Sequence, residues 1–565
     1  MPEYRQKLRN GLLTPLLLTL LTLLTIALWP GPSRASTGAT ATAAKQSAGL
    51  LQDFENQIAE RLLDQLRQEF AEASSPNLKL QYSVLNSAND KLGILNYYQA
   101  QIAGIDRRLL DPGNQLRLQL LDYSHLLLQQ QVRFGRADKA LSPYHGPHLD
   151  LWQLLDDFAA NPHRNTDNLL EELAQLGKSL GQPWQLRAGL SPAECAGISA
   201  DITHMLQPGL LTRELGQHLQ QAGMPAAARA SSLAKVQARL QETILPALDK
   251  LQQTMDCRAA NLAVAADPAY YQYRLRRFSA NSLSAEAIHD LGLAAVADLR
   301  QAISSAWQYQ QQTDKTLFDT IRAATLTPGS DPAARQQYLS AMAEQVSTSS
   351  SALSPWLATL QLPDLDIVAA TPQLRTTRQA FAYLQSQTDV ARVVVNFEAA
   401  SAPNQRELVA RTSYHTIPGL HLVLHQPDRL SGLLGQAEDP AHFAGWALYL
   451  TNLLFADEPS ARLGVLTFNV QLAAMLVIDT GIHQLGWPRQ QAIDFLLANT
   501  AVAANAAAQL VDEVRFSPAT MLAPYLGMLA IKNLPQATPW QGLLAAGPVP
   551  APMYPKVLAW LPAGE

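Results

Sequence analysis

The stretch Tyr414-His415-Thr416-Ile417-Pro418-Gly419-Leu420-His421, followed by Ala444-Gly445-Trp446-Ala447-Leu448-Tyr449, decides the reading of this chain. Two imidazoles six residues apart on a regular helix point about 120° away from each other, so His415 and His421 cannot share an ion without a kink. Pro418 supplies one, because it has no N–H for the Tyr414 carbonyl and clashes with it, and Gly419 adds freedom. The position seven before His421, which would share its face, is Tyr414, and a phenol is an uncommon zinc ligand. His421 and His425 stand at i and i+4, about 6 Å of rise apart on one face, which is the spacing zinc helices use. The residue after His421 is Leu422, so no carboxylate stands beside it to take a proton from a bound water.

Working upstream, Arg392-Val393-Val394-Val395-Asn396-Phe397 is the best strand, short and β-branched. Asn404 follows as a candidate N-cap, with Glu407 as the reciprocal partner of a capping box. The motif therefore sits on or just after a helix that follows a strand, with a small β-sheet expected near residues 390–400. Elsewhere the pattern is helical. Leu62, Leu63, Leu66 and Phe70 recur at helical spacing, and Leu116 to Leu128 continue the same apolar density. Asn161-Pro162, Gln207-Pro208-Gly209 and Asp267-Pro268 mark breaks. Ser284 is a helix N-cap, with Glu286 favouring the positive helix start. The fold class is mainly α, and no tandem repeat of fixed period points to a solenoid.

At the N-terminus, Arg5, Lys7 and Arg9 precede an apolar run from Leu12 to Trp29, which ends at Pro30-Gly31-Pro32-Ser33-Arg34-Ala35. This is the layout of a signal peptide over residues 1–35, with Ser33 and Ala35 where a signal peptidase reads; the alternative is an uncleaved anchor over residues 12–29. No Cys lies at this boundary to carry a lipid. Residues 36–48 are small and polar and suggest a flexible linker, and residues 49–565 suggest a single large helical domain. Export to the periplasm or the extracellular space is expected, with membrane contact only through the N-terminal segment if it stays uncleaved.

The 565 residues are 47% hydrophobic and 16% charged, below the roughly 25% charge of average domains, with neutral polar helix surfaces in place of charge. Loss of residues 1–35 removes Arg5, Lys7, Arg9, Arg34 and Glu3, taking the net charge from −5 to −8. An acidic chain without a basic cluster is a poor nucleic-acid binder. Arg276-Arg277, downstream of Tyr270, Tyr271 and Tyr273, reads as the basic edge of an amphipathic helix. No Gly-x-Ser-x-Gly elbow and no phosphate-cradling loop is present. Cys195 and Cys257 are too far apart for a metal knuckle; they either form one disulfide or stay as two buried thiols.

The segments LRRFSANSLSAEAIHDLGL (275–293), VVVNF (393–397), YHTIPGLHL (414–422), AGWALYL (444–450), LVIDTGIHQLGW (476–487) and SPATMLAPYLGML (517–529) carry a family resemblance. From about residue 50 onward the chain resembles a large bacterial family of often exported proteins, domain of unknown function 885 (DUF 885), grouped with the zincin-like zinc metallopeptidases. The resemblance implies a gluzincin-related fold, with the peptidase-like half at about 270–565. It also implies that this member is degenerate. Where the family has His-Glu, two variable residues and Pro-Gly-His-His, this chain has Tyr414, His415, Pro418-Gly419, Leu420 and His421. The family's Glu before Gly-Trp-Ala-Leu-Tyr is Ala444, two customary arginines are Leu472 and Met475, its Pro-Gly-Gln-Ala segment is Pro518-Ala519-Thr520-Met521, and its Tyr is Pro524.

What survives is Asp479-Thr480-Gly481-Ile482-His483, Gly486-Trp487, Trp446 and Tyr449. His421, Asp479 and His483 are therefore candidate relics of a catalytic site, with hydrogen-bonded core histidines as the plainer account. The expectation is a non-catalytic homologue without a cofactor, keeping a cleft for a peptide or protein ligand. The alternatives are a zinc hydrolase relocated to His421, His425 and His442, with His415, Glu438 or Asp439 as other choices for the third ligand, and an envelope scaffold.

Overall fold

The computed structural model describes residues 37–73, 84–138, 141–143, 146–160, 165–182, 184, 186, 190–221, 223–255, 257, 268–279, 283–306, 317–370, 380–384, 390–399, 404–426, 439–535 and 540–561. The expected signal segment 1–35 lies outside them. By contact the chain divides into two units, residues 1–58 with 106–110 and residues 59–105 with 111–565. Apart from residues 37–58 of the first helix, the features below belong to the second.

The fold is mainly α with one small sheet, as the helical spacing requires. The helices α1 (Thr37–Ala73), α2 (Val84–Ile102) and α3 (Pro112–Asp138) come first. Residues 37–48, whose composition suggests a linker, are the first turns of α1; Ala39, Ala41, Ala43 and Ala44 are the strongest helix formers available and outweigh the Thr and Gly between them.

Next come α4 (Pro147–Ala160), α5 (Thr166–Leu180), α6 (Pro192–Met205), α7 (Leu210–Gln221), α8 (Ala226–Arg239) and α9 (Leu245–Thr254). They bury Phe158, Leu173, Ile202 and Leu248 in one core. Ser191 and Glu194 close a reciprocal capping box at the start of α6. Cys195 on α6 is disulfide-bonded to Cys257, with Cα atoms 5.5 Å apart.

The remaining helices before the sheet are α10 (Pro268–Ser279), α11 (Ala285–Ala306), α12 (Leu317–Ala323), α13 (Pro332–Ala352) and α14 (Ser354–Leu357). Ser284 caps α11 as expected, its hydroxyl accepting from the Ala287 N–H at 3.2 Å. The strands are β1 (Asp364–Ala369), β2 (Phe381–Leu384) and β3 (Val390–Val395), in the order β1-β3-β2. Strand β3 is the one predicted. It pairs parallel to β1, Asp364 opposite Val390, and antiparallel to β2, Phe381 opposite Val395. The sheet thus begins well before residue 390.

Helices α15 (Leu408–His415), α16 (Leu420–Val423), α17 (Pro440–Leu454), α18 (Pro459–His483), α19 (Arg489–Asn499), α20 (Ala504–Phe516), α21 (Ala523–Lys532), α22 (Trp540–Ala545) and α23 (Tyr554–Trp560) complete the fold. Helix α18 is apolar enough over Ala461–His483 to cross a bilayer, and 78% of its most apolar stretch is buried inside the protein, where it forms the axis of the largest core. Helices α17 and α21 cross at Gly445 and Gly527: a methyl at either would overlap the other's backbone, so only glycine allows this approach.

Candidate functional site

Helix α15 is built by local bonds. The Asn404 side chain accepts from the Glu407 N–H at 2.9 Å, but this bond closes the turn before the helix; the N-cap is Glu407 itself, without a side-chain cap bond, and not Asn404 as the sequence suggests. The reciprocal half of the box does not form, because the Glu407 carboxylate accepts from Arg411 Nε at 2.6 Å, one turn on and almost out of water. Arg411 in turn lies over the Phe468 ring and donates to the Gln471 side chain at 3.0 Å. The helix stops at His415, and the chain reverses through Thr416–Gly419, with a cis bond between Ile417 and Pro418. The Gly419 N–H donates to the Ser413 carbonyl at 2.9 Å. A side chain at Gly419 would overlap the Ser413 and Tyr414 carbonyl oxygens, so this residue is required by the turn.

The positions that would hold a metal are spent on packing and internal bonds. Tyr414 is buried with its ring edge-on to Phe468, centroids 5.5 Å apart, and burial raises its phenol well above the ordinary range. His415 donates from Nδ1 to the Arg411 carbonyl at 2.8 Å and stacks on Phe381 at 5.2 Å. Loss of hydration holds its pKa down to about 4. Leu420 and Met475 belong to the same core cluster as Tyr414, with Leu472 packed against it, and Ala444 packs against the small cluster of Ala441 and Ala523.

His421, 1% exposed, has both nitrogens engaged. A carbonyl can only accept, so Nε2 carries the proton it shares with Pro363 O at 3.1 Å, and the Nδ1 lone pair takes the Tyr383 hydroxyl at 3.0 Å. Desolvation, with His425 nearby, lowers its pKa to about 4.

The rival cluster is drawn together only in part. The His421 and His425 rings lie 5.1 Å apart, but His425 Nδ1 donates to the His421 carbonyl at 2.7 Å. His442 sits on the first turn of α17 against Phe443 and Trp446, and its Nδ1 accepts from the Val549 N–H at 3.4 Å. Burial lowers its pKa to about 3. Asp439 caps the same helix through the His442 N–H; Glu438 lies outside the described residues. Among the described residues, no three His, Cys, Asp or Glu side chains gather closely enough to hold an ion.

The segment 479–483 is explained by contacts across the core. Asp479, fully buried, accepts at Oδ1 from the Tyr271 hydroxyl and at Oδ2 from the Ala519 N–H, both at 2.8 Å. Burial raises its pKa, and these bonds together with His483 and Arg274 oppose the rise. Ala519 is held at φ 64°, a conformation a non-glycine residue adopts only when its surroundings fix it. Thr480 accepts from His289 Nδ1 at 2.9 Å and donates to the Leu476 carbonyl at 2.6 Å. A methyl on Gly481 would strike the Trp487 indole. His483 donates from Nε2 to the Val514 carbonyl at 2.9 Å, and its ring lies 5.1 Å from that of Tyr271.

Two residues to which the sequence reading gives no role at this site complete the knot. Arg274 donates to the Pro518 carbonyl at 2.9 Å and the Thr520 hydroxyl at 2.6 Å, and Tyr271 holds Asp479. They stand three apart on one face of α10, the only signal in the sequence that both point inward. Arg515 is tied to Glu194 at 3.1 Å and Asp512 at 2.8 Å. A shallow surface cleft of about 450 Å³ lies away from all these residues, lined by Asp298, Gln301, Ala302, Ser305, Ala306 and Arg462.

A family model described as bacterial protein of unknown function, DUF885, matches residues 37–539. The crystal structure of "the putative lipoprotein from Colwellia psychrerythraea" is 18% identical, covers 90% of this chain and 99% of its own, and has a TM-score of 0.69. At that identity the likeness is one of fold. No curated protein matches the chain.

Proposed function

The chain belongs to the bacterial DUF885 family of proteins of unknown function, and from that membership we propose that it is an exported, non-catalytic member acting through a peptide or protein partner. The observation that carries this reading is His421: its single lone pair accepts from Tyr383 and its proton goes to Pro363. An imidazole binds a metal through a free lone pair, so this residue would have to break a buried hydrogen bond first. The other positions of the motif do not fit a hydrolytic zinc either. Tyr414 and Leu420 are core, Ala444 has no ligand atom, and no carboxylate stands beside His421 to accept a proton.

A relocated zinc hydrolase at His421, His425 and His442 would require His421 to give up its bond to Tyr383 or to Pro363 and His442 its bond to Val549, whereas His425 could bind through Nε2 while keeping its bond to the His421 carbonyl. With Tyr414 and Leu420 buried in the core, a partner is met on the surface, as an envelope scaffold would meet it. Export is supported by the charged and apolar N-terminal segment, and by the Cys195–Cys257 disulfide, since such bonds persist in oxidising compartments. The fold neighbour described as a lipoprotein is a further support for an envelope location.

The test is metal analysis and peptide hydrolysis on the purified mature protein. Stoichiometric zinc with hydrolysis that chelators abolish would overturn the proposal; metal-free, inactive, folded protein is expected.

A further inference from the structure

One edge of the sheet is open among the described residues. In the order β1-β3-β2 the outer strands are β1 and β2. Natural folds blunt such edges by keeping them short, and β2 runs only four residues. β1 runs six, Asp364–Ala369, with no proline, lysine or bulge, and its register against β3 is unbroken.

The Ala370 N–H donates to the Val395 carbonyl at 2.8 Å, which fixes the phase of the ladder. In a parallel pair alternate residues turn both backbone groups to the same neighbour. Asp364, Asp366 and Val368 therefore face β3, while Leu365, Ile367 and Ala369 face away from it. Among the described residues no bond reaches the outward N–H and C=O groups of these three. The side chains alternate as well. Leu365 and Ile367 pack against the cluster of Tyr338, Met342 and Val393, whereas Asp364, Asp366 and Val368 stand exposed on the opposite face. Asp366 has Arg392 at 3.8 Å; Asp364 has no cation partner among the described residues.

We propose that the free edge of β1 binds an extended basic peptide segment, which joins the sheet as one more strand, antiparallel to β1. This rests on the reading that the protein acts through a peptide or protein partner, and it names the surface and the chemistry of that partner. In an antiparallel addition each outward residue exchanges both its bonds with one residue of the incoming segment, so Leu365, Ile367 and Ala369 offer a ladder ready to be completed. Main-chain bonds supply the hold and alternate side chains the selectivity.

Directly opposite residues share a face, so every second peptide side chain lies beside Asp364, Asp366 or Val368, and the others lie beside Leu365 and Ile367. Opposite charges across a strand pair stabilise it and like charges destabilise it. The segment that fits therefore alternates Lys or Arg with apolar residues. A second copy of this acidic chain is the poorer occupant, since pairing β1 with itself gathers the carboxylates of both copies on one face.

The probe is a capped peptide of alternating Lys and Val, offered to the full mature protein, with a peptide of alternating Glu and Val as its counterpart. Residue-resolved hydrogen exchange should show the Lys peptide slowing the Leu365, Ile367 and Ala369 amides at least about tenfold, with Asp366 and Val368, already bonded to β3, unchanged. Affinity by fluorescence anisotropy should fall at least about tenfold in Ala369→Pro, which removes an outward donor and leaves the β3 ladder its own. The pair Asp364→Asn and Asp366→Asn, which keeps the backbone edge, should lose a similar factor. Should Ala369→Pro unfold, the Asn pair and the exchange pattern still decide.

No binding by wild type overturns the proposal, as does protection that does not alternate along β1 or equal binding of the Glu peptide. So does a wild-type dimer that Ala369→Pro dissolves, which would give the edge to a second copy. Each of these outcomes leaves the partner reading standing, whereas stoichiometric zinc with hydrolysis would overturn the reading beneath it.

Discussion

The Tyr383 hydroxyl donates to His421 Nδ1 at 3.0 Å, so a residue of β2 occupies the lone pair that a metal would need. With the Pro363 carbonyl on the other nitrogen, His421 fastens α16 to the sheet and to the segment leading into β1. The histidine that most resembles a ligand in sequence is a strut.

Acid should loosen this strut. His415 and His421 titrate at about 4 in the folded protein and His442 at about 3, all below the ordinary 6.5 because of burial. Each contributes stability that is present above pH 6.5 and lost as pH falls toward its folded value, up to about 3 kcal/mol for His421. His421→Gln should cost about 1–3 kcal/mol at pH 7 through the lost bonds. Its urea midpoint should then fall less than that of wild type between pH 7 and pH 4.5. Parallel pH profiles would show that His421 is not buried neutral.

Gly419→Ala should be among the most damaging single changes, because the new methyl overlaps two carbonyl oxygens of α15. A loss of about 4 kcal/mol or failure to accumulate as soluble protein is expected. Gly93→Ala on α2, where nothing lies within 4 Å, is the control and should gain up to about 1 kcal/mol by urea denaturation.

Asp479→Asn should destabilise by about 1–3 kcal/mol, since one side-chain atom can still accept from Tyr271 while the amide now meets the Ala519 N–H donor to donor. Tyr271→Phe, which removes the other end of the pair, should be sub-additive with it in a double-mutant cycle. Strict additivity of the two losses would argue against a shared structural role.

Replacing both Cys195 and Cys257 by Ala should lower stability by about 4 kcal/mol on a loop-closure estimate for a 62-residue separation. Equilibrium urea unfolding of the oxidised protein against the double variant measures it. Equal stabilities would mean that the core of α4–α9 already fixes the two ends.

Much of the fold can be read locally. Apolar spacing and the breaks at Pro208 and Pro268 delimit helices, Ser284 caps one, and the β-branched run at 393–395 is a strand. Strand β1 escapes such a reading because its paired aspartates disguise a half-exposed edge. Residues 37–48 do so because polar composition suggests a linker while their alanines favour helix. At the site, the turn at Pro418-Gly419 is legible because its cause is local. The roles of Asp479 and His421 are not. Tyr271 lies 208 positions from Asp479, and Tyr383 lies 38 positions from His421 on a strand whose register only the folded sheet defines.

The most direct test of the central claim is the metal content of the purified mature protein after equilibration with zinc and removal of free ion, measured by inductively coupled plasma mass spectrometry for wild type and His421→Ala. The packed, self-bonded motif predicts far less than one zinc per chain in both proteins. About one zinc per wild-type chain, lost in His421→Ala, would contradict it.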